Sequence, residues 1–322
     1  MKYIKGKLLD KEISKIGLGT AKFGSRVNEI DAFNLLDIFF EHGGNVLDTA
    51  RNYDEWKPDG RGRSEECIGK WLKKRGNRKD IILCTKGGVK RNYDGSRYFD
   101  LSRHNLIDEM KASLDALQTD YVDLYLLHKD EKGRRVEEIV ETIQEVSEIG
   151  KIGKIGVANW SFKRLKEAND YAHKNNLRSF EVVQTWWSLA EYTKEMWNDE
   201  NTTNMTDEMY QYLISKKMLG MAYTAQCKGF FQKAINNGLE NIDDFLKKRI
   251  VTVRNLNKLE YIHQYCKEND VNPTAVVNGY ITDNLLDGIA VVSCSTSEQL
   301  KEILEWSDYH LDEKAIYDLD HI

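Results

Sequence analysis

Eight short runs rich in Val, Ile and Leu recur along this chain, each followed by a stretch with helical spacing of apolar residues. They are Lys15–Gly19, Asn45–Thr49, Ile81–Lys86, Val122–His128, Ile152–Asn159, Glu181–Gln184, Gly220–Tyr223 and Gly288–Ser293. None shows the clean in–out alternation of a strand with one wet face, so each suits a parallel sheet covered on both sides. Between them Leu106, Met110, Leu114 and Leu117, and again Val136, Ile139, Val140, Ile143 and Val146, fall on one helical face. Eight strand-then-helix units in 322 residues predict one domain over residues 1–322, a closed (β/α)8 TIM barrel. A doubly wound sheet would call for a G-x-G-x-x-G turn after the first strand, and Gly17-Leu-Gly-Thr-Ala-Lys22 stands there instead.

Tyr3–Ser14, with Ile4, Leu8 and Ile13 around Gly6 and Asp10, reads as a β-hairpin plugging the barrel bottom. Only Pro58 and Pro273 occur, and no low-complexity linker divides the chain. Two polar stretches, Trp197–Met205 and Lys233–Asp244, read as extra loops at the C-terminal face, where this fold keeps its active site. A net charge of −5 gives no basic field for nucleic acid or anionic membrane. No segment reaches 18 apolar residues, and residues 1–23 lack an export-type apolar core, so a cytoplasmic protein is expected. Five cysteines without a C-x-x-C pair read as reduced thiols rather than disulfides or a zinc site.

Asp48, Tyr53, Lys86 and His128 lie at or just past the C-terminal ends of the second, third and fourth strands. A free phenol has a pKa of about 10 and is a weak acid. A neighbouring ammonium favours the phenolate, a carboxylate keeps the ammonium in place, and an imidazole can hold a carbonyl oxygen near the phenol. Together the four can pass one proton to a carbonyl under reduction.

The segments Gly17-Leu-Gly-Thr20, Asp48-Thr-Ala-Arg-Asn-Tyr53, Arg63-Ser-Glu-Glu-Cys-Ile-Gly69 and Asp120-Tyr-Val-Asp-Leu-Tyr-Leu-Leu-His128 resemble those of aldo-keto reductases. Gly156-Val-Ala-Asn159, Val183-Gln184 and Ser295-Thr-Ser-Glu-Gln-Leu300 extend the resemblance over nearly the whole chain. That family's members are (β/α)8 barrels that reduce carbonyls with a nicotinamide cofactor and no metal. By resemblance, Tyr53 is the general acid, Lys86 and Asp48 tune it, and His128 orients the carbonyl. Asn159 and Gln184 match the pair that holds the carboxamide, and Tyr223 matches the aromatic that stacks on the nicotinamide. Gly19 and Thr20 end the first strand of the cofactor groove. Thr224, Ala225 and Gly229 belong to a pyrophosphate-covering loop. Ser293, Cys294, Ser295, Thr296 and Gln299 match the segment that cradles the adenosine phosphate at a helix N-terminus.

Four positions depart from the pattern. Ala158 replaces a serine that shares the carboxamide contact, Ile303 replaces an asparagine at the adenine, and Ser293 and Gln299 stand where a Lys or Arg commonly meets the 2′-phosphate. The resemblance favours NADP(H), the missing cation weakens that preference, and NAD(H) stays open. Trp56, Lys129 and Trp187 are substrate-wall candidates, with a surface lysine and a packing tryptophan as the plainer readings. Arg51, Asn52 and Trp56 on one rim hint at a hydroxylated or acidic carbonyl, so a polar or sugar-derived substrate is expected. Two other readings remain: a nicotinamide-binding regulatory subunit with little turnover, and a lyase or isomerase using Lys86 as a Schiff base. If the reductase reading holds, Tyr53→Phe retains cofactor binding, seen by fluorescence quenching, and loses at least about a hundredfold in turnover.

Overall fold

The computed structural model describes residues 1–4, 11–55, 57, 60–192, 200–286 and 288–322. Eight parallel strands close into a barrel in chain order: β1 Ile16–Gly19, β2 Val46–Asp48, β3 Ile82–Gly87, β4 Leu124–Leu127, β5 Lys154–Ala158, β6 Val182–Trp186, β7 Leu219–Tyr223 and β8 Gly288–Val292. Every expected strand is present. The sixth runs on to Trp186, where its N–H reaches the Thr203 carbonyl and so recruits residues 203–205 alongside. Almost every strand residue is buried, as the unalternating apolar runs require.

Helices α1 Glu29–Glu41, α2 Arg63–Arg75, α3 Arg103–Leu117, α4 Val136–Ile149, α5 Phe162–Lys174 and α6 Asp207–Lys216 follow the first six strands. Their starts are written locally: Asn28, Ser102, Ser161 and Thr206 each accept a hydrogen bond from a first-turn N–H. Gly69 lets α2 lie against α3, since a Cβ there would come within 2.3 Å of the Ala116 carbonyl oxygen.

The long excursion after β7 holds α7 Phe230–Asn237, α8 Asp244–Ile250, α9 Val253–Asn269 and α10 Pro273–Thr282. The expected loop at Lys233–Asp244 is thus mostly helix. Phe230, Phe231, Ala234, Leu246 and Ile250 bury into a second apolar cluster with Ile262 and Leu311. Helices of about two turns leave too short a periodicity to read. The other expected loop is described only from residue 200, and Trp197 lies outside the described residues. After β8 come α11 Ser297–Glu305 and α12 Glu313–His321, the latter unannounced by the sequence reading. An antiparallel ribbon, Val89–Arg91 with Arg97–Phe99, rises from the end of β3 around an Asp94-Gly95 turn with Gly95 at φ 86°.

The barrel interior is closed at its N-terminal end by Ile4 and Ile13, joined by an Ile4 N–H to Ile13 carbonyl bond of 2.9 Å. They pack with Val46, Ile82, Leu124 and Ile289, which is the plug the sequence announced. Its tip, with Gly6, Leu8 and Asp10, lies outside the described residues. Ile13 is fully buried, so Ile13→Ala should destabilise the fold by about 2–4 kcal/mol in urea titration.

Candidate active site

The C-terminal ends of β2, β3, β4 and β6 converge on one buried ammonium. Lys86 Nζ donates to Asp48 Oδ2 at 2.9 Å, to the Thr49 carbonyl at 2.8 Å and to the Tyr53 hydroxyl at 3.1 Å. An ammonium has three N–H groups, and all three are engaged. Asp48 uses its other oxygen to accept the Gln184 amide at 2.8 Å, across the barrel mouth. Behind it, fully buried Thr20 donates its hydroxyl and its N–H to the Asp48 carbonyl, both at 3.0 Å. Thr20 is therefore a support beneath Asp48.

Tyr53 sits in the turn after β2, and His128 directly after β4, their rings 5.9 Å apart and edge to face. Proton affinities differ from the sequence expectation at one point. Burial pushes the Tyr53 phenol up to about 12, outweighing the opposing pull of Lys86, with Asp48 adding to the rise. Burial disfavours the Lys86 ammonium, but Asp48 and then Tyr53 more than offset it and hold Lys86 charged. Burial, reinforced by Lys86, Lys129 and Arg97, keeps His128 well below the usual imidazole range. The resting site thus holds a protonated phenol, an ammonium and a neutral imidazole. Its Nδ1 lies 2.8 Å from Oδ1 of Asn52, a partner the sequence reading put only on the rim.

Asn159 and Tyr223 also meet here: the Tyr223 hydroxyl donates to Asn159 Oδ1 at 2.6 Å. The Asn159 backbone is left-handed at φ 60°, which an asparagine tolerates better than most residues. Tyr223 lies edge to face against Trp186, itself stacked on Tyr192 at 4.1 Å. These aromatics, rather than Trp187, border Tyr223. Trp187 packs edge-on to Tyr210 in the layer between barrel and helices, against the backbone at Gly288, and so does not line the mouth. Lys129 is buried rather than on the surface, donating to the Asn201 carbonyl at 2.8 Å. Beside it a cavity of about 190 Å³ is lined by polar groups including Asp130, Lys132, Asn159, Ser161 and Arg164. Trp56 lies outside the described residues. Arg51 is locked onto buried Glu65 at 2.9 Å.

A groove continues from Tyr223 along the residues after β7 to those after β8. Its side chains are mixed in accessibility: Thr224 is half-buried and Ser293, Ser295, Thr296 and Gln299 are exposed, whereas Ala225 and Cys294 are buried. Gly19 leaves room at the β1–β8 seam, where a Cβ would come within 2.8 Å of Ser293 Oγ. Gly229 is left-handed at φ 74° and precedes α7. Thr296 caps α11, and Gln299 Oε1 accepts the Ser295 N–H at 2.9 Å. Lys22, which the sequence reading passed over, reaches Ser295 Oγ at 3.1 Å from the loop after β1. Hydroxyls, a helix N-terminus and an ammonium make a donor set that fits the phosphates of a nicotinamide dinucleotide. Burial pushes the Cys294 thiol up to about 12 against the pull of Lys22, which suits a packing role. Among the described residues, no group of three or more His, Cys, Asp or Glu is arranged to hold a metal. No described helix is long and apolar enough to cross a membrane.

Comparison with known proteins agrees with this geometry. Norsolorinic acid reductase of Aspergillus flavus is 27% identical over 96% of this chain and 77% of its own length. An uncharacterized oxidoreductase of Bacillus subtilis, YqkF, is 37% identical over 58% of this chain and 56% of its own. The solved structure of the aldo-keto reductase AKR11C1 from Bacillus halodurans, in its holo form, superposes with a TM-score of 0.74 at 23% identity, covering 100% of this chain and 96% of the other. The model of the aldo/keto reductase family matches residues 15–322, so the chain belongs to that family and is an NAD(P)-dependent oxidoreductase acting between carbonyl and alcohol groups of small molecules.

Proposed function

We propose that this protein reduces a polar, sugar-derived aldehyde or ketone, reversibly, with Tyr53 as the proton donor. The observation that carries the reading is the triple engagement of Lys86, which brings one ammonium against Asp48, Thr49 and the Tyr53 hydroxyl. NAD(P)H, when bound, would supply the hydride that reduces the carbonyl carbon. As negative charge grows on the substrate oxygen, Tyr53 gives up its proton, and Lys86 stabilises the phenolate left behind. Asp48 keeps Lys86 charged and in place, and His128 orients the substrate's oxygen functions. Asn159 and Gln184 would hold the carboxamide, with the Tyr223 ring beneath. Positioned acid catalysis contributes typically about 10²–10⁴-fold.

The polar cavity beside Asn159 and the polar rim favour a hydroxylated substrate over a greasy one. For the cofactor, Lys22 beside Ser295 supplies a cation that Ser293 and Gln299 do not, which favours NADP(H) over NAD(H). We take residues 1–322 as one catalytic unit. Five buried, unpaired cysteines suit a reducing, cytoplasmic setting. A Schiff-base role for Lys86 is disfavoured because that nucleophile would have to shed its proton beside Asp48.

The test is a panel of keto-sugars, hydroxyaldehydes and apolar aldehydes assayed with NADPH and NADH in parallel. Fastest turnover on hydroxylated members supports the reading. Tight cofactor binding with no turnover on any of them would point to the regulatory subunit instead. Lys22→Met should weaken NADPH binding about tenfold and NADH binding much less, by fluorescence titration. The pH response has a definite sign. Because the phenol is pushed up to about 12 by burial and His128 stays neutral, reduction should hold its rate from about pH 6 to 9. Alcohol oxidation needs the phenolate and should climb throughout that range, in steady-state assays of kcat/KM.

A further inference from the structure

The turn that carries Tyr53 is anchored differently on its two sides. Upstream, the Arg51 N–H bonds the Lys86 carbonyl at 2.9 Å and Asn52 meets His128 at 2.8 Å. Downstream the backbone bonds stay local, from Lys57 N–H to Asp54, Gly60 N–H to Lys57 and Arg63 N–H to Gly60. Among the described residues from 54 to 62, the side-chain hydrogen bonds that leave this loop come from Arg61 Nη2. It donates to the Val89 carbonyl at 3.1 Å, at the root of the ribbon, and to Glu109 Oε1 on α3. Arg61 Nη1 turns back and donates to Glu55 Oε2 at 2.5 Å. The other oxygen of Glu109 accepts the Gly88 N–H at 2.6 Å. Glu55 stands two residues after Tyr53, and Gly88 two residues after Lys86. One guanidinium therefore ties the segment bearing the phenol to the segment bearing the ammonium.

Nothing nearby substitutes for it at Glu55. Burial pushes the carboxyls of Glu55 and Glu109 up, and Arg61 is the foremost charge opposing that rise at each. Glu55 Oε1 has no hydrogen bond, and Arg91 Nε lies 4.0 Å off. Without Arg61 the Glu55 carboxylate would be buried with neither oxygen bonded, a cost relieved by turning to water. The turn would move with it. Among the described residues the Tyr53 hydroxyl has one hydrogen-bond partner, Lys86 at 3.1 Å. With its downstream side loose, rotation about the φ and ψ of Tyr53 would swing the ring off that partner. We propose that Arg61 is a positioning residue for proton transfer, fastening Glu55 to Val89 and Glu109 so that the Tyr53 hydroxyl stays against Lys86. This rests on Tyr53 as proton donor and adds the residue that sets its place. A misplacement of about 1 Å at a reacting group can cost about a hundredfold in rate.

The test is a double-mutant cycle in the full-length protein with NADPH, on the aldehyde of the panel that turns over fastest. Arg61→Ala should lower kcat at least about tenfold, with NADPH affinity by fluorescence titration within about twofold of the wild type. In a Tyr53→Phe background the same substitution should change kcat by less than about twofold, because its effect runs through the phenol. Glu55→Gln leaves Arg61 on Val89 and Glu109, so it decides the matter if Arg61→Ala does not fold. It should lower kcat at least about threefold in the wild-type background alone. In protein carrying ¹³C at tyrosine Cζ, the Tyr53 resonance, assigned through Tyr53→Phe, should shift or broaden in either variant. Equal losses in both backgrounds, no loss in either, or an unmoved Tyr53 resonance overturns the inference. Full turnover in Tyr53→Phe sinks the proton donor itself, and this inference with it. No turnover on any aldehyde with NADPH bound counts against the reductase reading, and the resonance then decides whether Arg61 places the phenol.

Discussion

The ion pair between Asp48 and Lys86 organises the mouth of this barrel. Both side chains are almost wholly out of water, where an isolated charge costs several kcal/mol to bury. Such a pair is tolerable only with its remaining donors and acceptors satisfied, and here they are. Lys86 spends its three N–H groups on Asp48, Thr49 and Tyr53, and Asp48 spends its second oxygen on Gln184. The same bonds that make the charges affordable fix the phenol against the ammonium. The proposed catalytic geometry and structural necessity are thus one arrangement.

Around that pair the protein separates two tasks by depth. The proton-handling groups sit where burial governs their chemistry: the phenol is raised, the imidazole is lowered and the ammonium is kept. The groups proposed to face the phosphates, among them Ser295, Thr296 and Lys22, sit in an open groove. Depth suits each role, since low dielectric sharpens proton transfer while an anion must be able to enter and leave. Asn52 meets the imidazole of His128 at the edge of the buried set.

Much of this was legible beforehand. Strand runs covered on both faces announced a parallel barrel because such strands must be apolar throughout, and Ile4 and Ile13 announced its plug. Asp48, Tyr53, Lys86 and His128 were readable because their chemistry coincides with strand ends, and the structure brings all four to one mouth. What misled was direction. Trp187 follows Trp186 by one residue, yet one packs outward under the helices while the other borders Tyr223. Lys129, for which a surface position was the plainer reading, is buried and folds inward onto the Asn201 carbonyl. The short helices α7 and α8 were hidden because seven or eight residues give too few turns for a period to show.

The sequence by itself determined the barrel, its plug and the set of groups available for proton transfer, since strand hydrophobicity and residue type are local properties. Only the tertiary structure decided how those groups are tuned and shared. Lys22 and Ser295 are 273 positions apart, and Gln184 and Asp48 are 136 apart, yet each pair is in hydrogen-bond contact. His128 Nδ1 meets an amide 76 positions away. Closing the barrel sets these distances, and with them the local dielectric and the direction of each hydrogen bond, none of which any short segment carries alone.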